Sequence, residues 1–206
     1  MTDLDRALAD IAAIKSQMAR SVIFRGYGPE ALAATGVLAA VAAGAQAYLV
    51  ADPVASPTGF LGVWAATAVL AALIIVFEAV RRARQAHGRM ADEMLLSAVE
   101  QFLPAGAAGI LLTLVLQRSA PETLWMLPGL WQIILSLGIF AASASLPRTM
   151  LLVAVWYLAT GLACLVFASG TAQFAPIAMG LPFCVGQLLA AAVLHFAYRD
   201  CHVEIR

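Results

Sequence analysis

A chain of 206 residues that is 63% hydrophobic and only 12% charged is too apolar for a soluble domain, since one core of that size cannot shelter so much apolar surface. The mean hydropathy of +0.90 makes a lipid bilayer its natural solvent, and the length suits one helical domain. The formal net charge of zero offers no bulk field to attract nucleic acid, and no nucleic-acid partner is expected.

The first segment, over residues 2–24, reads as an amphipathic helix. Leu4, Leu8, Ile11, Ile14, Met18 and Val22 recur at steps of three and four, with Asp3, Arg6, Asp10, Gln17 and Arg20 on the other side. Its charges leave no long apolar core, so no cleavable signal peptide is expected there. The segment is too polar to span. It suits a membrane surface or a partner helix. Gly26-Tyr27-Gly28-Pro29 ends it, and Pro29 fits the first turn of a new helix, where its missing N–H is not needed.

A spanning helix needs about 20 apolar residues. Six stretches qualify: 30–50, 60–80, 97–116, 124–144, 150–168 and 175–197. Breakers separate them at Asp52-Pro53, Pro57-Thr58-Gly59, Gly88, Arg118-Ser119-Ala120-Pro121, Pro147 and Ser169-Gly170-Thr171. The expected fold is therefore all-α, a polytopic bundle of about six helices over 29–198. The amphipathic segment 1–28 precedes it and a short tail, 199–206, follows.

With six spans, the amino-terminus, the second and fourth connections and the tail share one face. That face holds Arg6, Lys15, Arg20, Arg25, Arg81, Arg82, Arg84, Arg89, Arg148, Arg199 and Arg206, against Arg118 alone on the other. Basic residues favour the cytoplasmic side, so both ends are expected in the cytoplasm. Trp64, Trp125 and Trp131 fall toward the outer ends of their spans, as interfacial anchors do, while Trp156 lies deeper and reads as packing.

Few polar side chains remain inside the spans. Gln46, Gln132 and Gln187 lie at successively greater depth from the outer side. They can line a polar path, or they can bridge helices as hydrogen-bonding glue. Pro104, Pro128 and Pro182 interrupt the third, fourth and sixth spans, each removing a backbone hydrogen bond. Such breaks serve either as packing kinks or as cavity walls. Glu78 stands one turn before Arg81 and Arg82, a spacing that predicts ion pairs. Glu100 and His195 fall near the inner ends of their spans, where they are candidates for a paired ligand site. Gly36, Ala40 and Gly44 repeat at four residues and offer a close helix contact within the chain or between copies.

Cys164, Cys184 and Cys201 lack metal-ligand spacing, and the three histidines form no heme or zinc set, so no cofactor or metal is expected. No nucleophile elbow or catalytic cluster is present in the sequence, so an intramembrane enzyme is the least favoured class.

Phe24-Arg25-Gly26-Tyr27-Gly28-Pro29, Glu100-Gln101-Phe102-Leu103-Pro104-Ala105, Leu127-Pro128-Gly129-Leu130-Trp131-Gln132, Met179-Gly180-Leu181-Pro182 and Gly186-Gln187-Leu188-Leu189 carry a resemblance. Together they resemble a group of small six-helix bacterial inner-membrane proteins with no established activity. The resemblance implies a bacterial inner membrane and a six-helix bundle. It implies no substrate and no catalytic residues.

Two functional classes stay open. One is a membrane-embedded sensor or interaction subunit, contacting a protein partner or a second copy through the amino-terminal helix or the first span. The other is a small-molecule or ion transporter or channel, with Gln46, Gln132 and Gln187 along its path.

Overall fold

The computed structural model describes residues 28–85, 90–144, 146–167 and 173–203. Among these the fold is all-helical, with no strand. Six helices are long and apolar enough to cross a membrane, which makes this a multi-pass bundle. The helices are α1 (Pro29–Leu49), α2 (Pro57–Gln85), α3 (Met90–Ser119), α4 (Leu127–Ala141), α5 (Met150–Phe167) and α6 (Pro176–Val203). The amphipathic helix expected over 2–24 and the breaker Gly88 lie outside the described residues.

Local chemistry sets the helix ends. Gly28 is extended (φ −72°, ψ 125°) and hands over to Pro29 in the first turn of α1. Between α1 and α2, the Asp52 carboxylate accepts the amides of Val54 and Ala55 at 3.0 Å each, closing the turn. Between α3 and α4 the chain forms a 3₁₀ segment, Pro121–Met126. Pro128 then falls in the first turn of α4. The sequence predicts a break inside one long helix at Pro128, whereas the residue sits where 3₁₀ pairing changes to α pairing. Pro104 and Pro182 do lie inside their helices.

α2, α3 and α6 run to 29, 30 and 28 residues. At 1.5 Å per residue these are about 42–45 Å long, against a hydrocarbon core of about 30 Å. The excess gathers at the end that carries Arg81, Arg82 and Arg84, called here the basic end. α6 continues as helix to Val203, through most of what the sequence suggests is a tail.

Consecutive helices pack side by side, and α1 also packs on α6, so the six form a closed ring. The most extensive pairs are α1–α6 and α4–α5. Lipid gives helices no hydrophobic reason to associate, so close approach through small residues carries the packing. A Cβ on Gly129 would lie 2.7 Å from the Gly161 carbonyl oxygen, and one on Gly161 would lie 2.9 Å from that of Gly129. These two backbones touch, and neither position has room for a side chain. Gly180 packs on Ala43, Gly186 on the Tyr157 ring, and Gly36 on the Cys184 carbonyl and the Gln187 side chain.

The Gly36-Ala40-Gly44 stripe is split. Gly36 is buried against α6, while Ala40 and Gly44 are exposed, with nothing within 4 Å of a Cβ at Gly44. A spacing of four drifts about 40° per step around a helix, so by Gly44 the stripe has turned about 80° off α6. Ala39 and Ala43 carry the contact onward instead.

Apolar packing forms two clusters. Phe60, Trp64, Leu124, Leu127, Phe174 and Met179 fill the end away from the basic residues. Leu32, Ile139, Met150, Val153, Tyr157 and Leu194 fill the other. α3 stands at the margin: no residue in its Phe102–Ser119 span is buried.

Candidate functional site

The polar side chains of the interior form a seam along α6. At its outer end Gln46, 1% exposed, joins three elements. Its Oε1 accepts from Trp64 Nε1 of α2 at 2.7 Å, and its Nε2 donates to the Phe174 carbonyl at 2.6 Å. Phe174 sits just before α6 with a positive φ of 57°, a left-handed conformation that costs a side-chain-bearing residue about 1–2 kcal/mol. The Gln46 bond and the Phe60 ring, 4.7 Å from the Phe174 ring, hold it there. Trp64 is therefore an interior hydrogen-bond donor, 4% exposed, rather than the interfacial anchor its position suggests. Trp131 likewise donates inward, to Thr113 Oγ1 at 3.0 Å, and stacks on Phe60.

One level deeper, Gln132 is 0% exposed. Its Nε2 donates to Pro128 O at 3.0 Å and to Ala178 O at 2.9 Å. Ala178 stands four residues before Pro182, which has no N–H to give it. The glutamine of α4 thus supplies the hydrogen bond that the proline of α6 removes, as a bilayer interior requires. On the far side of the break, Trp156 Nε1 of α5 donates to the Pro182 carbonyl at 3.0 Å. Ser136 ties α4 to α5, donating to Ala154 O at 2.8 Å.

Below this level the Tyr157 ring packs against Gly186. Its hydroxyl is buried and, among the described residues, closes no hydrogen bond of ordinary geometry, although the Gln187 side chain and Cys184 approach it from α6. Gln132 Oε1 is the other buried side-chain oxygen without a partner among the described residues. Gln187 is half-buried, with its Cβ against Gly36.

The sequence names the three glutamines but not their partners. Three of those partners, Phe174, Pro128 and Ala178, are bonded through backbone carbonyls, which carry no residue signature. The Ala178 carbonyl has an indirect one, because a proline frees the oxygen four residues before it. Trp64, Trp156 and Tyr157 were not expected in the seam. Pro128 and Pro182 are each followed within five residues by a glutamine, yet the first proline begins a helix and the second interrupts one.

At the basic end, Glu78 accepts from Arg81 Nε and Nη2 at 2.7 Å each and from Arg82 Nε at 2.6 Å. Arg82 Nη2 reaches toward Glu30 of α1 at 3.7 Å. His195 is exposed, edge-on to Phe196. Glu100 lies on α3, but its side chain, and with it the expected Glu100–His195 pair, is outside the described residues. Pro104 is exposed on α3. Among the described residues no three histidine, cysteine or acidic side chains converge as metal ligands. Comparison with protein-family models, with curated proteins and with solved structures finds no match to this chain.

Proposed function

We propose that this chain is a membrane-embedded sensor or interaction subunit of a bacterial inner membrane, with both ends in the cytoplasm. The observation that carries this reading is the state of the seam. Gln46 and Gln132 are enclosed to within 1% of full burial and hold backbone carbonyls of α6 and the segment before it, so they act as clasps between helices. A path-lining amide would instead face water or solute. A second support is the length of α2, α3 and α6, which carries helical surface past the bilayer at the basic end. Such surface suits contact with a cytoplasmic partner, together with the amphipathic sequence of residues 2–24.

A photo-crosslinking amino acid at Arg84, exposed near the end of α2, tests this in cells. A discrete adduct is expected, absent when the same probe replaces Arg118 at the opposite end. Lipid adducts alone at Arg84 would remove the interaction reading.

One observation favours transport as the second reading: among the described residues Gln132 Oε1 and the Tyr157 hydroxyl are buried polar atoms without a hydrogen-bond partner. A saturable solute flux into proteoliposomes, lost in Gln132→Leu, would establish it.

A further inference from the structure

A groove of about 330 Å³ opens sideways between α1 and α2, lined by Ala31, Leu70, Leu73, Ile74, Phe77 and Glu78. It forms because the small Ala31 faces a row of large side chains. Leu70, Leu73 and Phe77 are 50%, 59% and 71% exposed, so the groove opens toward the surrounding hydrocarbon. Its Leu70-to-Phe77 wall is two turns long and runs along the axis of the spanning helix α2.

The groove ends at charge. Glu78 closes it, and Arg81 and Arg82 stand one turn beyond, at the end of the apolar Pro57–Arg82 span. The Glu78 carboxylate binds Nε and Nη2 of Arg81 and Nε of Arg82, which fixes both guanidiniums in place. Each guanidinium carries five N–H donors, so both keep Nη1 donors that these bonds leave free for an anion. Gly28, at the start of α1, packs directly on Arg82, and a Cβ there would lie 2.8 Å from Nη2. The amino-terminal end of α1 thus adds its own positive potential at the same point. Among the described residues Arg81 and Arg82 offset Glu30 and Glu78, and the excess positive charge comes from Arg84, exposed one turn beyond Arg81 on α2.

We propose that this groove is a binding site for one anionic glycerophospholipid, its acyl chain along Leu70, Leu73 and Phe77 and its phosphodiester on Arg81 and Arg82. The excess charge selects an anionic headgroup over a zwitterionic one, whose own cation would meet the guanidiniums. The proposal is independent of the interaction reading.

The test titrates full-length protein in mild detergent with phosphatidylglycerol and with phosphatidylcholine of identical chains, reading thermal unfolding and lipid retained in native mass spectrometry. Saturable stabilisation by phosphatidylglycerol is expected, with about tenfold weaker binding of phosphatidylcholine. Arg81→Gln is expected to erase most of that preference, and Ala31→Phe, which fills the groove without touching charge, to weaken both lipids. Arg118→Gln, at the other end, is expected to change neither. Equal binding of the two lipids would overturn the proposal. So would phosphatidylglycerol binding that survives both Arg81→Gln and Ala31→Phe. Glycerol 3-phosphate is expected to give no shift; a shift matching that of the lipid would show that the cluster takes free phosphoesters and that the groove plays no part. Helical circular dichroism of each variant separates loss of the site from loss of the fold.

Discussion

The Gln132 side-chain amide lies 2.9 Å from the Ala178 carbonyl, the one oxygen of α6 that Pro182 deprives of its helical donor. Two features that look separate along the chain are halves of one arrangement. A proline in a membrane helix is tolerated where a neighbour satisfies the freed carbonyl. Here the neighbour is α4, so the break in α6 and the α4–α6 contact depend on each other.

That dependence is measurable as a coupling. Gln132→Leu leaves the Ala178 carbonyl buried without a donor and should destabilise the bundle by about 1–2 kcal/mol. Pro182→Ala restores an N–H that can reach Ala178 within the helix. In that background the penalty of Gln132→Leu should shrink by about 1 kcal/mol, measured by a double-mutant cycle of unfolding in mixed detergent. Equal penalties in both backgrounds would mean that the amide and the proline act independently.

How far the chain discloses this in advance differs by feature. The six spans are legible because about 20 consecutive apolar residues have few other uses. Their ends are less so: Arg81, Arg82 and Arg84 mark where the bilayer stops, not where the helix does, and α2 runs on to Gln85. Pro128 misleads because a proline reads as a mid-helix break unless the 3₁₀ segment before it is known. Glu78, Arg81 and Arg82 pair as their spacing predicts, since neighbours on one helix fix their own geometry. The Phe174 and Ala178 carbonyls that Gln46 and Gln132 hold stay hidden because they lie 128 and 46 residues away, on backbone oxygens. Only tertiary packing assigns them.

Gln46 makes the second prediction. Gln46→Leu orphans both the Trp64 indole N–H and the Phe174 carbonyl, and it releases the strained turn before α6. A loss of about 2–4 kcal/mol is expected, as two buried polar groups lose their partners. Unlike Gln132→Leu, it should also shift tryptophan emission, because Trp64 loses its only described side-chain acceptor. An unchanged spectrum with unchanged stability would place Trp64 and Gln46 apart.

The glycines separate into two classes by what surrounds them. Gly129→Ala and Gly161→Ala each drive a methyl into the opposing backbone, which cannot yield as a flexible side chain does. Each is expected to cost about 1–3 kcal/mol or prevent folding. Gly44→Ala, Gly62→Ala and Gly106→Ala meet nothing within 4 Å. They should be neutral, or stabilise by up to about 1 kcal/mol through helix propensity. Gly44 carries a further test, since it lies on the exposed part of the small-residue stripe of α1. A Gly44→Ile variant that keeps its stability but loses a dimer in crosslinking would place a second copy on that face. An unchanged oligomeric state would leave the stripe to lipid.

Tyr157 supplies the last prediction, and its sign is informative. The hydroxyl is buried, packs on Gly186 and, among the described residues, closes no hydrogen bond of ordinary geometry, although the Gln187 side chain approaches it. If the protein interior alone surrounds it, Tyr157→Phe removes an unsatisfied polar group while keeping the ring, and stability should rise by about 1 kcal/mol. Gln187, flanking the hydroxyl on α6, provides the control. If the two groups only lie side by side, Tyr157→Phe and Gln187→Leu should add in the double variant. A destabilising Tyr157→Phe, coupled to Gln187→Leu, would mean that the two groups share a third partner, such as a buried water or a polar ligand. That result would revive the transport reading, because it would place a polar guest midway along the seam below Gln132.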